Sequence, residues 1–321
     1  MTGRLIVLVA LYGCGVAPVS HPTPGVVAAT FDASGDLQPP ADYRHWTFLT
    51  SGLGMTYGPL AAPPGAPPGF DSVFVDPRSY DQFVATGAWR DGAIFVVEVR
   101  SSEHTGSIVH GGHFQTDLTG IEVAVKDAAR FANSWGYFSF PASLDKSQHV
   151  QPATAACYGC HGKNGAVENT FTQFYPTLFA VAKAKHTVRA DFVGIPPSAS
   201  DLYDAIAARG WSGAKSLVDD TLAKWPEANL ATERTLNVVA YRLGAAGKTL
   251  DAIALFDEIT RRFPASANAW DSLGETLEAA HQLDAARTAT ERGLAVVAAD
   301  PSPQRDAIEQ SLRARKTRLA N

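Results

Sequence analysis

Asp91-Gly92-Ala93-Ile94-Phe95-Val96-Val97-Glu98-Val99 is the stretch on which the reading of this 321-residue chain turns. Asp-Gly is a turn pair, and the β-branched and aromatic run behind it has the composition of a strand. Strand residues alternate sides, so Ala93, Phe95, Val97 and Val99 share one wholly apolar face. Similar signals lie at 72–75, stopped by Asp76-Pro77, at 107–110, at the alternating 120–125, and at 137–140 before Pro141. These predict an antiparallel sheet of about five strands. Residues 126–133 predict one helix, and 155–185 another that opens on a cysteine pair. The run PLAAPPGAPPGF at 59–70 predicts a loop, because proline fixes φ and removes a backbone donor.

Beyond Ile195-Pro196-Pro197 the composition turns to alanine, leucine and charge with no strand signal, which predicts a second domain over 197–321. Leu236, Ala240, Leu243, Ala252, Phe256, Ile259 and Pro264 recur one period later as Trp270, Gly274, Leu277, Ala286, Thr290 and Gly293. The shift matches the tetratricopeptide period of about 34 residues. Small residues also stand where helices of such a repeat cross. A weaker copy runs through Leu202, Ala214, Val218 and Pro226, and residues 306–319 are expected to cap the stack. A generic array of helical hairpins is the competing reading. The fold class expected is therefore α+β: an antiparallel β-sheet domain with helices, followed by all-α helical repeats.

At the amino end Arg4 precedes the apolar run 5–11, too short to span a bilayer but the size of a secretory core. The following Leu11-Tyr12-Gly13-Cys14 reads as a lipoprotein processing site, so residues 1–22 are expected to be a signal peptide with Cys14 as lipid anchor. An ordinary signal peptide cut later, in the stretch ending at Val27, is the other reading. Both export the mature protein to the periplasm or another extracytoplasmic space, touching membrane only through such an anchor. The formal charge of −5 argues against a nucleic-acid partner. The basic patch Arg313, Arg315, Lys316 and Arg318 reads as a solvated helix face.

Of three cysteines, only Cys157 and Cys160 lie in the folded part, which excludes a disulfide framework. Cys157-Tyr158-Gly159-Cys160-His161 is C-x-x-C-H, the attachment motif of a c-type haem. One helical turn presents both sulfurs to the two vinyl groups, and the adjacent imidazole meets the iron. A tetrahedral zinc site would want a second ligand pair, which the domain lacks. A thioredoxin-type pair would follow the first strand of a βαβ unit, unlike this placement. One covalent haem c on Cys157 and Cys160 is expected, with His161 as axial iron ligand. The only methionines are Met1 and Met55, so none follows the motif to close the sixth position. His186 is the nearest later histidine, and it reads equally as a surface residue. The expectation is an iron open on its distal side, suited to a small molecule.

With the motif placed, residues 31–178 resemble the cytochrome P-460 family. The resemblance rests on Tyr43-Arg44-His45-Trp46, Val73-Phe74-Val75-Asp76-Pro77 with Tyr80, Arg90-Asp91-Gly92, the run VKDAARFAN at 125–133, and Phe174-Tyr175-Pro176-Thr177-Leu178. It implies a largely antiparallel β fold over about 28–190, haem attached near its carboxy end, a proximal histidine and an open distal site. Members with a lysine cross-link to the haem oxidise hydroxylamine. Those called cytochromes c′-beta bind nitric oxide on an unmodified haem behind phenylalanines. Here the cross-linking position aligns with Val97, and no lysine lies between Ala28 and Val125. Phe74, Phe95 and Val97 are the haem-pocket candidates. The distal position where some members carry a carboxylate falls near Gln148 or His149, a pair that could equally be an exposed loop. Two functions remain open: a haem module that captures nitric oxide or passes electrons while the repeats dock a partner protein, or an oxidoreductase acting on hydroxylamine or nitric oxide. The missing lysine favours the first.

Overall fold

The computed structural model describes residues 27–55, 66–106, 108, 110–192 and 194–320. Residues 1–22, expected to be a signal peptide and including Cys14, and most of the proline-rich run 59–70 lie outside the described residues. The chain divides into two compact units, 1–194 and 195–321. The fold is α+β, an antiparallel sheet in the first unit and helices throughout the second.

Five strands, β1 (Thr47–Leu53), β2 (Phe70–Val75), β3 (Ile94–Glu103), β4 (Phe114–Lys126) and β5 (Trp135–Pro141), pair in chain order as an antiparallel meander. In register, Val73 faces Val97, which faces Glu122, which faces Ser139. The next row on that side is Val75, Phe95, Ala124 and Tyr137. Because side chains alternate, the sheet has two packed faces. One buries Val73, Val75, Phe95 and Tyr137 with Trp89, Tyr175 and Leu178. The other buries Ile94, Val96, Ile121, Val123 and Phe138 with Leu37 and Tyr43. Burial on both sides explains why β3 reads as a continuous apolar run.

Helix α1 (Pro77–Thr86) follows β2 without a loop. Asp76 caps it, accepting from Ser79 N at 3.0 Å, and its other oxygen accepts from Ile94 N at 3.0 Å. One buried carboxylate thus ends a strand, starts a helix and ties both to β3, with the cap alone worth about 1 kcal/mol.

Three local expectations are corrected. Of the expected strand 107–110, Ser107 and Val109 lie outside the described residues, while Ile108 sits in a turn with 86% of its surface exposed and His110 in a bend. An apolar side chain so exposed has no buried face to contribute, and β1 is the fifth strand among the described residues. Residues 127–133 form turns, not a helix. The Asp127 carboxylate accepts from Ala129 N and Arg130 N, a local turn that competes with helix, and Lys126 stays in β4. The helix expected over 155–185 is broken into α2 (Ala156–Asn164) and α3 (Pro176–Ala184). Gly165 ends the first, and Pro176 opens the second at a position where a missing N–H costs nothing.

In the second unit α4 (Ala199–Ala214) and α5 (Ser216–Lys224) precede four helices that form two matching pairs. Helices α6 (Glu233–Ala245) and α7 (Thr249–Arg262) are followed, each at the same offset, by α8 (Ala267–Ala279) and α9 (Leu283–Val296). Helix α10 (Arg305–Leu319) closes the unit. Leu236, Ala240, Leu243, Ala252, Phe256 and Ile259 are all buried in its core. A Cβ on Gly293 would come within 2.7 Å of the Leu312 side chain, so the helix crossing requires glycine's lack of one.

Candidate functional site

Helix α2 carries Cys157, Cys160 and His161 on neighbouring turns. Neither cysteine is in a disulfide, and both are partly accessible. Burial pushes the Cys157 thiol above its ordinary range, the reverse of the depressed value that activates a thioredoxin-type thiolate. Among the described residues no group of three or more His, Cys, Asp or Glu could hold a metal ion.

The His161 ring lies between two aromatic rings, Tyr137 at 4.5 Å and Phe171 at 4.4 Å between centroids. Its Nδ1 lies 2.8 Å from the backbone carbonyl of Asn169. A carbonyl only accepts, so Nδ1 carries the proton and Nε2 presents a lone pair. Desolvation lowers the pKa of His161, which keeps it neutral. A neutral imidazole with one nitrogen anchored to a carbonyl and the other free is the form that ligates a metal.

The segment supplying that carbonyl is braced from several sides. Trp89 Nε1 donates to Thr170 Oγ1 at 2.9 Å. Lys126 Nζ pairs with Glu168 at 2.7 Å and donates to Trp89 O at 2.8 Å. Gln173 accepts from Ala166 N and donates to Asn164 O. Arg189 donates to the carbonyls of Gly162 and Gly165, covering the C-terminal end of α2. These contacts hold the ligand loop against the first turn after α2, so the orientation of His161 is set by groups remote in sequence.

Phe95, Val97, Tyr137, Cys157 and Tyr158 all belong to one cluster, so β3 and α2 meet there. Two other candidates do not. Phe74 lies on the opposite face, where its ring meets Tyr43 at 5.7 Å and Phe48 at 5.7 Å; its placement in the haem pocket is corrected, because it alternates with Val73 and Val75. Gln148 pairs through its backbone with Leu37, on that same opposite face. His149 is 86% exposed and pairs with Asp36. The reading of Gln148 and His149 as distal groups is therefore corrected to that of a surface loop beside the amino-terminal segment. His186 is an exposed residue at the end of α3 with φ of 57°.

The carboxylate on the α2 side of the sheet is instead Glu122, cross-strand from Val97 and accepting from Ser139 Oγ at 2.8 Å. Its side chain reaches solvent along part of its length, yet desolvation pushes the carboxyl above its usual range, with Ser139 opposing. Its charge also acts on Cys157. Asp71, cross-strand from Val99 on the same side, is raised by burial as well. The apolar face expected from β3 is thus apolar along β3 only. The alternation of 120–125 carried the signal for Glu122, since Glu122 and Ala124 must share a side if Ile121, Val123 and Val125 face the other core.

Whether these residues fit a haem is tested by one orphan atom. Tyr137 is buried, and its hydroxyl has no hydrogen-bond partner among the described residues. Desolvation raises the phenol's pKa, and the charges of Cys157, Tyr158 and Cys160 add to this, which places the hydroxyl beside the motif. Such a group costs roughly 1–3 kcal/mol unless something else completes it. A buried phenol, an Nε2 lone pair and two accessible sulfurs in one place fit a large group seated against α2.

No curated protein matches the chain. Residues 40–172 match the family described as Cytochrome P460. That span holds the whole sheet, α1 and the C-x-x-C-H helix, and the match supports the cytochrome P460 family, with the haem binding it implies, for this part of the chain.

Proposed function

We propose that the chain is an exported monohaem c-type cytochrome that binds or redox-transforms a small nitrogen species, nitric oxide or hydroxylamine, while its tetratricopeptide-like repeats dock a partner protein. The observation that carries this reading is the His161 ring with Nδ1 tied to Asn169 O and Nε2 free, one residue beyond Cys160 on the same helix. Cys157 and Cys160 would hold the haem through two thioethers, and His161 would ligate its iron. An iron held by imidazole on one side supplies reversible binding of diatomics and one-electron chemistry on the other. The chain's own residues orient and shield: Tyr137 and Phe171 fix the imidazole plane, while Phe95 and Val97 offer dispersion contacts and no amine. Such a wall favours a neutral diatomic over a charged intermediate, which would lose solvation there.

The reading without a lysine cross-link rests on two observations and leaves Lys146 as the substitute to be tested. Val97 occupies the aligned position, and the Lys126 amine is taken up by Glu168 and Trp89 O. A second reading, an oxidoreductase, is favoured by Glu122, a carboxylate with a raised pKa on the same side of the sheet and able to accept a proton. Lipid anchoring at Cys14 and periplasmic location remain part of the proposal, supported by the amino-terminal pattern alone.

The test begins with acid-denatured mass, which should exceed the mature polypeptide by one haem when the chain is made with haem-attachment machinery. A mass without haem would end the proposal. Peptide mapping should find the haem on the Cys157–Cys160 peptide only; a second attached peptide would overturn the cross-link-free site. Hydroxylamine turnover with an electron acceptor, set beside nitric oxide binding to the reduced protein, then separates oxidoreductase from binding module.

A further inference from the structure

The hairpin joining β3 to β4 carries histidines that the haem reading leaves unused. Ser102 pairs with Gln115 and Glu103 with Phe114, so the next residues outward, His104 and His113, face each other beyond the last pair. Their ring centroids are 5.6 Å apart, at an interplanar angle of 42°.

The tautomer of His113 follows from its neighbours. Ser102 Oγ donates its one proton to Pro68 O at 2.5 Å and lies 3.3 Å from His113 Nδ1. Having spent its proton, the hydroxyl can only accept from the ring, so His113 carries its proton on Nδ1 and has a bare lone pair on Nε2. His104 Nδ1 lies 3.4 Å from the Glu103 carboxylate, an ion-pair contact. That carboxylate accepts from the backbone N–H groups of His104 and Thr105. His113 therefore has Nδ1 anchored on an oxygen and Nε2 free, the arrangement in which metal-bound imidazoles are held, and the His104 ring stands beside it.

We propose that His104 and His113 form a two-imidazole site for a borderline divalent transition metal, copper or zinc, at the outer end of the β3–β4 hairpin. The spacing fits: a metal about 2.1 Å from Nε2 lies about 3.2 Å from a ring centroid, so two rings sharing one ion have centroids at most about 6.4 Å apart. Imidazole suits these ions, with copper held more tightly than zinc. Water completes the coordination, since no third His, Cys, Asp or Glu ligand joins them among the described residues. The site is thus open and exchangeable, and Glu103 supplies negative charge beside it.

The test is calorimetric titration of the full-length holoprotein with zinc and with copper. The wild type should take up one ion that His104→Ala and His113→Ala each weaken by at least the roughly 10–100-fold that loss of an outer-shell partner costs. Ser102→Ala should weaken binding about ten-fold while leaving the fold intact, because it frees the His113 tautomer without removing a ligand. His104→Gln, with circular dichroism on every variant, covers the case in which an alanine disturbs the hairpin. His149→Ala, at a surface histidine elsewhere, should change nothing. Equal metal uptake by the wild type and the His104→Ala/His113→Ala double variant would overturn the proposal, as would a Ser102→Ala affinity equal to wild type.

Discussion

Gly165→Ala should destabilise the first unit and loosen the His161 ligand together. Gly165 is buried, and a Cβ there would lie 2.8 Å from His161 O and 2.9 Å from both Thr170 N and Thr170 O, where ordinary contact begins at 3.4 Å. All three neighbours are backbone, so no side chain can swing aside, and the chain must part by about 0.5 Å on two sides. Overpacking of this kind costs about 1–3 kcal/mol. Reduced unfolded-state entropy returns about 0.4–1 kcal/mol, leaving up to about 2.6 kcal/mol and a fall in melting temperature of up to about 10 °C. Residue 169 lies inside the loop being forced, so the 2.8 Å contact from His161 Nδ1 to Asn169 O lengthens toward the edge of a hydrogen bond. If His161 is the axial ligand proposed above, it then becomes less basic and the absorption spectrum shifts. Gly159→Ala is the control: its Cβ meets nothing within 4 Å, and alanine in mid-helix should gain about 0.5–1 kcal/mol. Thermal unfolding followed by Soret absorbance measures both. Equal melting temperatures for the two variants would refute the claim that backbone crowding at Gly165 holds the ligand loop.

Two further outcomes concern the remainder of the fold. Glu98, 5% exposed, is raised by burial but lowered more by Arg100, Tyr43 and Arg44, so its folded pKa lies below the unfolded value. The stability this supplies is complete above the unfolded pKa of about 4.5 and disappears as pH falls through the folded value; Glu98→Gln should therefore cost about 1–3 kcal/mol at neutral pH, discounted because Arg44 is half exposed, and flatten the acid limb of a denaturant-midpoint series, whereas an unchanged acid limb would exclude it as the titrating group. A chain ending at Gly194 should keep the full haem spectrum, because both sheet-face cores are assembled from residues of the first unit; loss of haem from that fragment would show that the units depend on one another.

What the sequence displayed and what it concealed follow from how far apart the cooperating residues lie. Strand β3 was legible because one unbroken run carries turn pair, composition and alternation together, and the helix offset because like residues return at a constant spacing. Strand β1 was not, since TFLTSGL is a mixed edge strand whose pairing with β2 is set by partners across the proline-rich loop. Residues 126–133 misled for the opposite reason: helix-forming alanines follow Asp127, whose side chain captures the local N–H groups before a helix can. At the site, Cys157, Cys160 and His161 stood in one motif. Phe74 went to the wrong face through the parity of one strand, and Glu122 was overlooked because facing α2 is a property of register across three strands. Gln148 and His149 were chosen by position along the chain, while their surroundings were decided by pairing with Leu37 and Asp36.

Register also decides which chemistry the α2 side of the sheet can perform. Val97 and Glu122 are direct cross-strand partners, so their Cβ atoms stand about 4.5–5.5 Å apart, and whatever lies over Val97 is within reach of one carboxylate. Desolvation raises that carboxyl above its ordinary value. Below the raised value it is protonated and can only donate; above it, it can accept a proton. Hydroxylamine oxidation releases protons, so any turnover that uses this group should climb as pH rises through the Glu122 titration, while nitric oxide binding, which transfers no proton, should stay level. Glu122→Gln keeps the shape and the Ser139 contact but cannot take up a proton, so it should flatten the pH dependence of turnover and leave nitric oxide affinity unchanged. Turnover that climbs with pH identically in wild type and Glu122→Gln would show that the proton leaves by another route and that this carboxylate is a spectator.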